Sequence, residues 1–238
     1  MLFLVVSFFF ASFSPQYGLP QGAKIIETRT LTSKAHPDRA LVLWMLNPTQ
    51  NPREPADEIY TCPEYTRGHH YSGATRVSLV DLKTNKIINT IHLKEESGED
   101  HFDIPYKIQG GYYQIPAKRK EAKPTILSLV DFNGDGKAHE FVLYDAVNCM
   151  TVMTTLIGYS EAQDKVLQYP VVLQIFADKK AKTETLEWVD HLFQQRRNKQ
   201  GRWQYSIDYR GRGGAVDQYD VRYIAKAERF EGTLKFKE

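Results

Sequence analysis

The sequence predicts a mainly β protein, an antiparallel sheet or sandwich of hairpins with one helix. Short apolar runs are separated by polar turns along much of the chain, and Trp203, Tyr205 and Ile207 alternate with polar residues, as half-buried strands do. Apolar residues make up 42% and aromatic residues 12% of the 238 residues, so the chain can bury a sizeable core and is not expected to be disordered.

Three hairpins are predicted from pairs of strand-like segments, each pair separated by a short polar or glycine-rich turn. The pairs are residues 75–82 with 87–93, residues 154–159 with 165–169, and residues 203–209 with 216–223.

Outside the hairpins the pattern is less regular. The continuous apolar run at residues 40–46 predicts a buried strand. Residues 47–73 and 96–123 are rich in proline, glycine and charged side chains, and we expect them to be loops.

One segment, residues 185–197, has the spacing of a helix. Leu186, Val189 and Phe193 fall near one broad face, and basic residues at the C-terminal end would interact favourably with the helix dipole. The sequence therefore predicts a single helix near residues 185–197.

A short motif recurs fifty residues apart, as Ser-Leu-Val-Asp at residues 78–81 and 128–131. Each copy ends an apolar run and enters a polar turn. Because a period near fifty residues is compatible with the blades of a propeller, a small β-propeller-like fold is the alternative to the sandwich.

The N-terminus has the pattern of an export signal. Residues 2–13 are apolar apart from Ser7 and Ser12, which is too short for the roughly 20 residues of a membrane-spanning helix. We expect a signal peptide within residues 1–22, a single β-rich domain at residues 23–238, and a secreted or periplasmic protein with no stable membrane span in the mature chain. No basic residue precedes the apolar run, so an anchor or a buried strand remains the alternative.

Cys62 and Cys149 are the only cysteines. In an oxidising compartment they could form one disulfide, which would stabilise the fold by roughly 4 kcal/mol because it closes a long loop. Their spacing does not establish that they meet, so a disulfide and two free thiols both remain open.

The segment that carries recognisable chemistry is Asp-Phe-Asn-Gly-Asp-Gly-Lys at residues 131–137. Oxygen-bearing side chains stand at its first, third and fifth positions, and a glycine at the sixth permits a sharp turn. Calcium needs six to eight oxygen ligands, and alternate side chains of a turn supply several of them. We therefore expect a structural calcium site, although Asn-Gly and Asp-Gly also favour tight turns that hold no ion.

This segment resembles two groups of calcium loops. The spacing of its oxygen-bearing residues is similar to that of an EF-hand loop. Its residue sequence resembles more strongly the strand-embedded loops of FG-GAP and integrin-α-type repeats. An EF-hand would require a glutamate at position twelve, where this chain has Val142, whereas the FG-GAP arrangement of strand, loop and strand suits the apolar runs at residues 126–130 and 141–144. That family usually has an aspartate at the ninth position, where His139 stands here.

The resemblance implies a ligand set completed by a neighbouring carboxylate or a water, because imidazole is a poor ligand for calcium. The candidate calcium ligands are Asp131, Asn133, Asp135, the backbone carbonyl of Lys137, and Glu140.

Other motifs give weaker indications of a binding site. His69 and His70, with Cys62 and Glu64 nearby, match no standard zinc spacing. Residues 209–214 resemble a single RGG box, but a glycine-rich hairpin turn explains them. A net charge of +2 gives no reason to expect nucleic acid or an acidic membrane as a partner.

Two classes of function follow. The first is a secreted or periplasmic domain with a structural calcium and a binding or structural role. The second is a secreted hydrolase with a calcium-stabilised cleft, which a pocket lined by two carboxylates, or by a carboxylate and a histidine, would support. No residue is assigned a catalytic role from the sequence.

Overall fold

The computed structural model describes residues 16–52, 69–94, 100–107, 125–148, 151–176, 182–188 and 201–237. Strands dominate these ranges, which confirms the prediction of a mainly β protein. In chain order the strands are β1 (Ala23–Thr30), β2 (Arg39–Asn51), β3 (His69–Asp81), β4 (Lys86–His92), β5 (Phe102–Lys107), β6 (Glu140–Asn148), β7 (Thr151–Ser160), β8 (Lys165–Gln168), β9 (Val171–Ile175), β10 (Lys182–Thr185), β11 (Glu187–Trp188), β12 (Arg202–Asp208), β13 (Val216–Ile224) and β14 (Arg229–Lys237).

The strands form three sheets in the described part of the chain. Sheet A has the order β1-β2-β3-β4, and β5 also pairs with β3. Sheet B has the order β11-β7-β6, and β8 also pairs with β7. Sheet C has the order β10-β9-β14-β13-β12, in which β14 and β9 are parallel and the other neighbours antiparallel.

Sheet B is the middle layer. Phe141 and Leu143 of β6 belong to the apolar cluster shared with sheet A, whereas Val142 and Tyr144 belong to the cluster shared with sheet C. Successive side chains of a strand point to opposite faces, so both faces of β6 are buried. This explains why residues 141–144 form an unbroken apolar run and not an alternating one.

The outer face of sheet A is covered by the segment that precedes β1. Tyr17 and Leu19 are buried there with Val42, Trp44 and Val80. Each such side chain contributes roughly 1.5–3 kcal/mol when it is fully buried. The folded part of the chain therefore already includes residues 17 and 19.

All three predicted hairpins are confirmed. Strands β3 and β4, β7 and β8, and β12 and β13 pair antiparallel, each across the expected turn. In the third hairpin, the turn at residues 209–215 is closed by the Tyr209 N–H, which donates to the Ala215 carbonyl at 2.9 Å, and Gly213 adopts a positive φ of 80°.

The predicted helix is wrong over residues 185–188, which are strand or bend, and residues 189–197 lie outside the described ranges. Trp188 pairs with Thr154 of β7, its indole N–H donates to the Tyr169 carbonyl at 3.1 Å, and its ring packs edge-on against Phe230. Helix propensities differ by at most about 0.7 kcal/mol per ordinary residue, so burying one tryptophan between two sheets outweighs them.

The two predicted loops need correction at their ends. Residues 47–51 extend β2 and residues 69–73 begin β3, while β5 lies inside the segment expected to be a loop at 96–123. The sheets of the described residues stack as layers and do not form propeller blades, so the propeller alternative is not supported. Within the same ranges, no helix is long and apolar enough to cross a membrane.

Candidate metal-binding loop

The calcium-loop motif lies where the chain enters the middle layer. Val130 and Glu140 form an isolated antiparallel bridge, with Val130 N–H donating to the Glu140 carbonyl at 2.7 Å and Glu140 N–H donating back at 3.2 Å. We call residues 131–140 the 131–140 loop. The expected strand at 126–130 is reduced to this single bridge, whereas the expected strand at 141–144 is present as part of β6.

The side-chain oxygens of the 131–140 loop are turned toward its own backbone. Asp131 accepts N–H groups from Gly134 at 2.6 Å and from Gly136 at 3.1 Å, one on each carboxylate oxygen. Asn133 Oδ1 accepts the Asp135 N–H at 2.9 Å, and Asp135 Oδ1 accepts the Lys137 N–H at 2.9 Å. These bonds hold the three oxygen-bearing side chains against the backbone of a tight turn.

Glu140 supports the 131–140 loop from beneath. Its side chain is fully buried, and Oε2 accepts the Phe132 N–H at 2.9 Å while Oε1 accepts the Asn133 amide N–H at 3.0 Å. Burial raises the pKa of Glu140 to about 8, and the negative charges of Asp135 and Asp131 contribute to this rise, whereas the backbone hydrogen bonds from Phe132 and Asn133 oppose it. The two aspartates of the loop therefore act on the buried glutamate.

His139 and Lys137 point their side chains elsewhere. His139 is buried, with Nε2 3.0 Å from the Thr32 carbonyl oxygen and its ring edge-on to Tyr159. The Lys137 ammonium is paired with Glu161. Of the two residues weighed at the ninth and tenth positions, Glu140 is the one whose side chain reaches the loop.

The loop is held against sheet C by close packing. Gly201 adopts a positive φ of 62°, and a Cβ at this position would overlap the Asn133 carbonyl. The Phe132 ring lies 6.4 Å from the ring of Trp203 in β12. The 131–140 loop is therefore connected both to the middle layer, through Glu140, and to sheet C.

The donor set suits a hard cation, because carboxylate, amide and carbonyl oxygens are the ligands that calcium prefers. However, no group of three or more His, Cys, Asp or Glu side chains in the described ranges is arranged to hold a metal ion. The three carboxylates of this loop therefore do not converge on one point by themselves. Oxygens from Asn133 and from the Lys137 carbonyl would be needed to complete a calcium site.

The other candidate residues from the sequence are dispersed. Cys62, Cys149 and Glu64 lie outside the described ranges. Asp103 is buried on β5 between two imidazoles, with His101 Nε2 at 3.2 Å from one of its oxygens and His70 Nε2 at 3.6 Å from the other. His69 is not part of this pair of contacts; its Nδ1 lies 3.4 Å from the Tyr106 hydroxyl.

A groove of about 340 Å³ crosses the outer face of sheet C, away from the 131–140 loop. We call it the sheet C groove, and its polar lining includes Gln174, Lys182, Arg202, Asp220, Arg222 and Glu231. Sequence reasoning missed it because its residues come from five strands. The only available signal was the alternation of charged with aromatic residues in β12 and β13.

Both carboxylates of the sheet C groove are already bonded to arginines. Asp220 accepts from Arg202 at 2.9 and 2.5 Å, and Glu231 accepts from Arg229 at 2.9 and 2.6 Å. The hydrogen bond from Arg202 lowers the pKa of Asp220 below its usual value. An ionised carboxylate of this kind is unsuited to act as a general acid at neutral pH.

Comparison of the chain with protein-family models, with curated proteins and with solved structures finds no match. Function is therefore inferred from the 131–140 loop and from the sheet C groove.

Proposed function

We propose that this protein is a secreted or periplasmic β-rich domain with a binding or structural role, in which the 131–140 loop holds a structural calcium ion. The observation that carries the proposal is the turn itself, in which hydrogen bonds to the backbone hold the oxygens of Asp131, Asn133 and Asp135 within one short loop. The sequence motif alone also fits an ion-free turn.

The loop is organised in a way that suits a cation. An ionised carboxylate oxygen has about two lone pairs, and each oxygen of Asp131 uses one for a backbone N–H of the turn. The same hydrogen bonds fix the positions of Asn133 and Asp135. Calcium binding would therefore cost little ordering of the backbone, because the turn is formed beforehand.

The electrostatics favour the same conclusion. Burial raises the pKa of Glu140 to about 8, and the negative charges of Asp135 and Asp131 contribute to the rise. A divalent cation at the loop would favour the ionised form of this carboxyl group. We assign Asp131, Asn133, Asp135 and the Lys137 carbonyl as ligands, and we assign Glu140 as the buried carboxyl group that holds Phe132 and Asn133 in place.

The consequence for the fold is stabilisation of the middle layer. Glu140 is the first residue of β6, and both faces of β6 are buried against other sheets. An ion that fixes the loop would therefore fix the start of a strand that is buried on both faces. Extracellular calcium sites work in the range of about 10⁻⁴–10⁻³ M, which matches the proposed location.

The location follows from the apolar N-terminal run together with this calcium requirement. Because Tyr17 and Leu19 are buried on the outer face of sheet A, we place any signal cleavage before residue 17. A cut at residue 22 would remove two side chains that cover apolar surface.

A hydrolase is the less favoured function. The sheet C groove is lined by two carboxylates, as a hydrolase would require, but arginines neutralise both of them. None of the residues that line it belongs to the 131–140 loop, so an ion in the loop would not border this groove.

Thermal unfolding in calcium and in chelator tests the proposal. At about ten times its dissociation constant, calcium should add about 1.4 kcal/mol to the free energy of unfolding and raise Tm by about 3–5 °C. Asp131→Ala and Asp135→Ala should abolish the rise, while Asp38→Ala, an exposed acidic residue outside the loop, should keep it. Near-ultraviolet circular dichroism in chelator should show that each variant is folded. Identical melting curves in calcium and chelator for the wild type would mean that the loop is an ion-free turn.

A further inference from the structure

The sheet C groove has a regular arrangement of polar side chains that the calcium loop does not use. Register places Arg202, Arg222 and Glu231 side by side on β12, β13 and β14. The next row on the same face continues through Asp220, Thr233, Gln174 and Lys182, from β13 to β10. The two rows form the floor of the groove.

The charges of the groove do not cancel. Asp220 is bonded to Arg202 through both oxygens, and Arg229, which is bonded to Glu231, also lies 4.0 Å from Glu184. The lining contains three cations, Lys182, Arg202 and Arg222, and two acids, Asp220 and Glu231, so the groove carries one net positive charge. Lys182 and Arg222 are exposed to solvent.

The spacing of the two cations indicates the size of a ligand. Arg222 and Lys182 stand three strands apart in sheet C and in adjacent rows, so their backbones are separated by roughly 14 Å across the strands and roughly 7 Å along them. Their long side chains can reach toward each other across the groove. A volume of about 340 Å³ is within the range of small-molecule sites.

The floor between the two cations includes neutral side chains that can form hydrogen bonds. Gln174 and Thr233 are directly paired across β9 and β14, and they present an amide and a hydroxyl to the groove. Such groups bind hydroxyls, while guanidinium and ammonium groups bind carboxylate or phosphate.

We propose that the sheet C groove binds a small, hydroxyl-bearing organic anion of the sugar-acid or sugar-phosphate class, with Arg222 and Lys182 on its anionic group and Gln174 and Thr233 on its hydroxyls. This site is separate from the 131–140 loop and does not depend on calcium. The sheet holds the residues in place because the Arg202–Asp220 and Arg229–Glu231 pairs fix the neighbouring side chains.

The test is titration of the ¹⁵N-labelled full chain with glucuronate, glucose 6-phosphate and glucose, followed by amide chemical shifts. Saturable shifts at Gln174 and Thr233 with either anion, and none with glucose, support the proposal. The anion that binds more tightly shows whether the site prefers a carboxylate or a phosphate. Arg222→Gln and Lys182→Gln should each weaken binding roughly tenfold or more. Lys226→Gln, at an exposed lysine outside the groove, should leave it unchanged.

Three outcomes would overturn the proposal. These are no saturable shift with either anion, equal shifts with glucose, or unchanged binding in both Arg222→Gln and Lys182→Gln. The amide spectra of the variants show directly whether they are folded, so a folding defect is not mistaken for loss of binding.

Discussion

Two turns of this chain begin with the same four residues, Ser-Leu-Val-Asp, and they differ in how the aspartate is neutralised. Asp81 accepts the Thr84 N–H at 2.8 Å, and Asp131 accepts the Gly134 N–H at 2.6 Å, so each aspartate bonds the backbone three residues ahead. The second oxygen of Asp81 accepts a hydrogen bond from Arg39 at 2.7 Å. The second oxygen of Asp131 accepts the Gly136 N–H at 3.1 Å.

The surroundings of the two aspartates explain this difference. Arg39 comes from β2 and also holds Asp164 of the β7–β8 turn, so one guanidinium serves two carboxylates. Asp131 instead lies with Asp135 and Glu140, and the loop's own lysine is paired with Glu161. The same local sequence therefore makes the same turn, whereas long-range contacts decide which charged groups lie around its aspartate.

Filling the space beside the Glu140 side chain should have the largest effect on the free energy of unfolding. In Gly158→Ala the new Cβ would lie 2.6 Å from Glu140 Cγ and 2.9 Å from Tyr169 Cε2, in the centre of the molecule. We expect a loss of about 2–3 kcal/mol in the free energy of unfolding, measured by urea denaturation, because the core must shift. Gly211→Ala, where a Cβ meets nothing within 4 Å, should be nearly neutral. Equal stability of the two variants would show that Glu140 is not held as described.

Asn133→Asp should separate the effects of charge and of the ion. The amide N–H of Asn133 donates to Glu140 at 3.0 Å, and an aspartate would replace this donor with a further carboxylate. In chelator we expect a loss of about 1.5–2 kcal/mol in the free energy of unfolding, since the buried Glu140 loses a hydrogen-bond donor. In calcium the variant should show a larger rise in Tm than the wild type. Asn85→Asp, in the first turn, is the control, and a calcium response there would contradict the comparison.

Arg39→Gln should disturb the first turn and leave the second unchanged. We expect a loss of roughly 1 kcal/mol at neutral pH, because the bonds to Asp164 are partly exposed. The hydrogen bond from Arg39 lowers the pKa of Asp164, so its stabilising contribution is present above the ordinary aspartate pKa of about 3.9 and is lost as the pH falls below it. The stability difference between wild type and variant should therefore narrow under acid conditions. A difference that stayed constant from neutral pH to about pH 2 would contradict this assignment.

The sequence was informative where structure depends on neighbours in the chain. The hairpin turns at residues 83–86, 161–164 and 211–214 are all present, because the polar and glycine residues that bend the chain are local. The turn chemistry of Asp131 and Asn133 is local for the same reason, so the position of the 131–140 loop could be predicted.

The remaining features depend on contacts between distant segments. The parallel pairing of β9 with β14 joins Val171 to Phe230, and nothing in either strand signals the other. Trp188 is drawn into strand β11 by its contacts with Tyr169 and Phe230, against its helical spacing. The position of Arg39 beside Asp81 and Asp164, which distinguishes the two turns, is likewise a product of the fold.

Equilibrium dialysis against radioactive calcium, with isosteric variants of the two matched aspartates, tests the central claim most directly. We predict one calcium ion per chain for the wild type at about 1 mM free calcium, retained in Asp81→Asn and lost in Asp131→Asn. Binding that is absent from the wild type, or that is the same in Asp131→Asn as in the wild type, would contradict the assignment of the 131–140 loop as a calcium site.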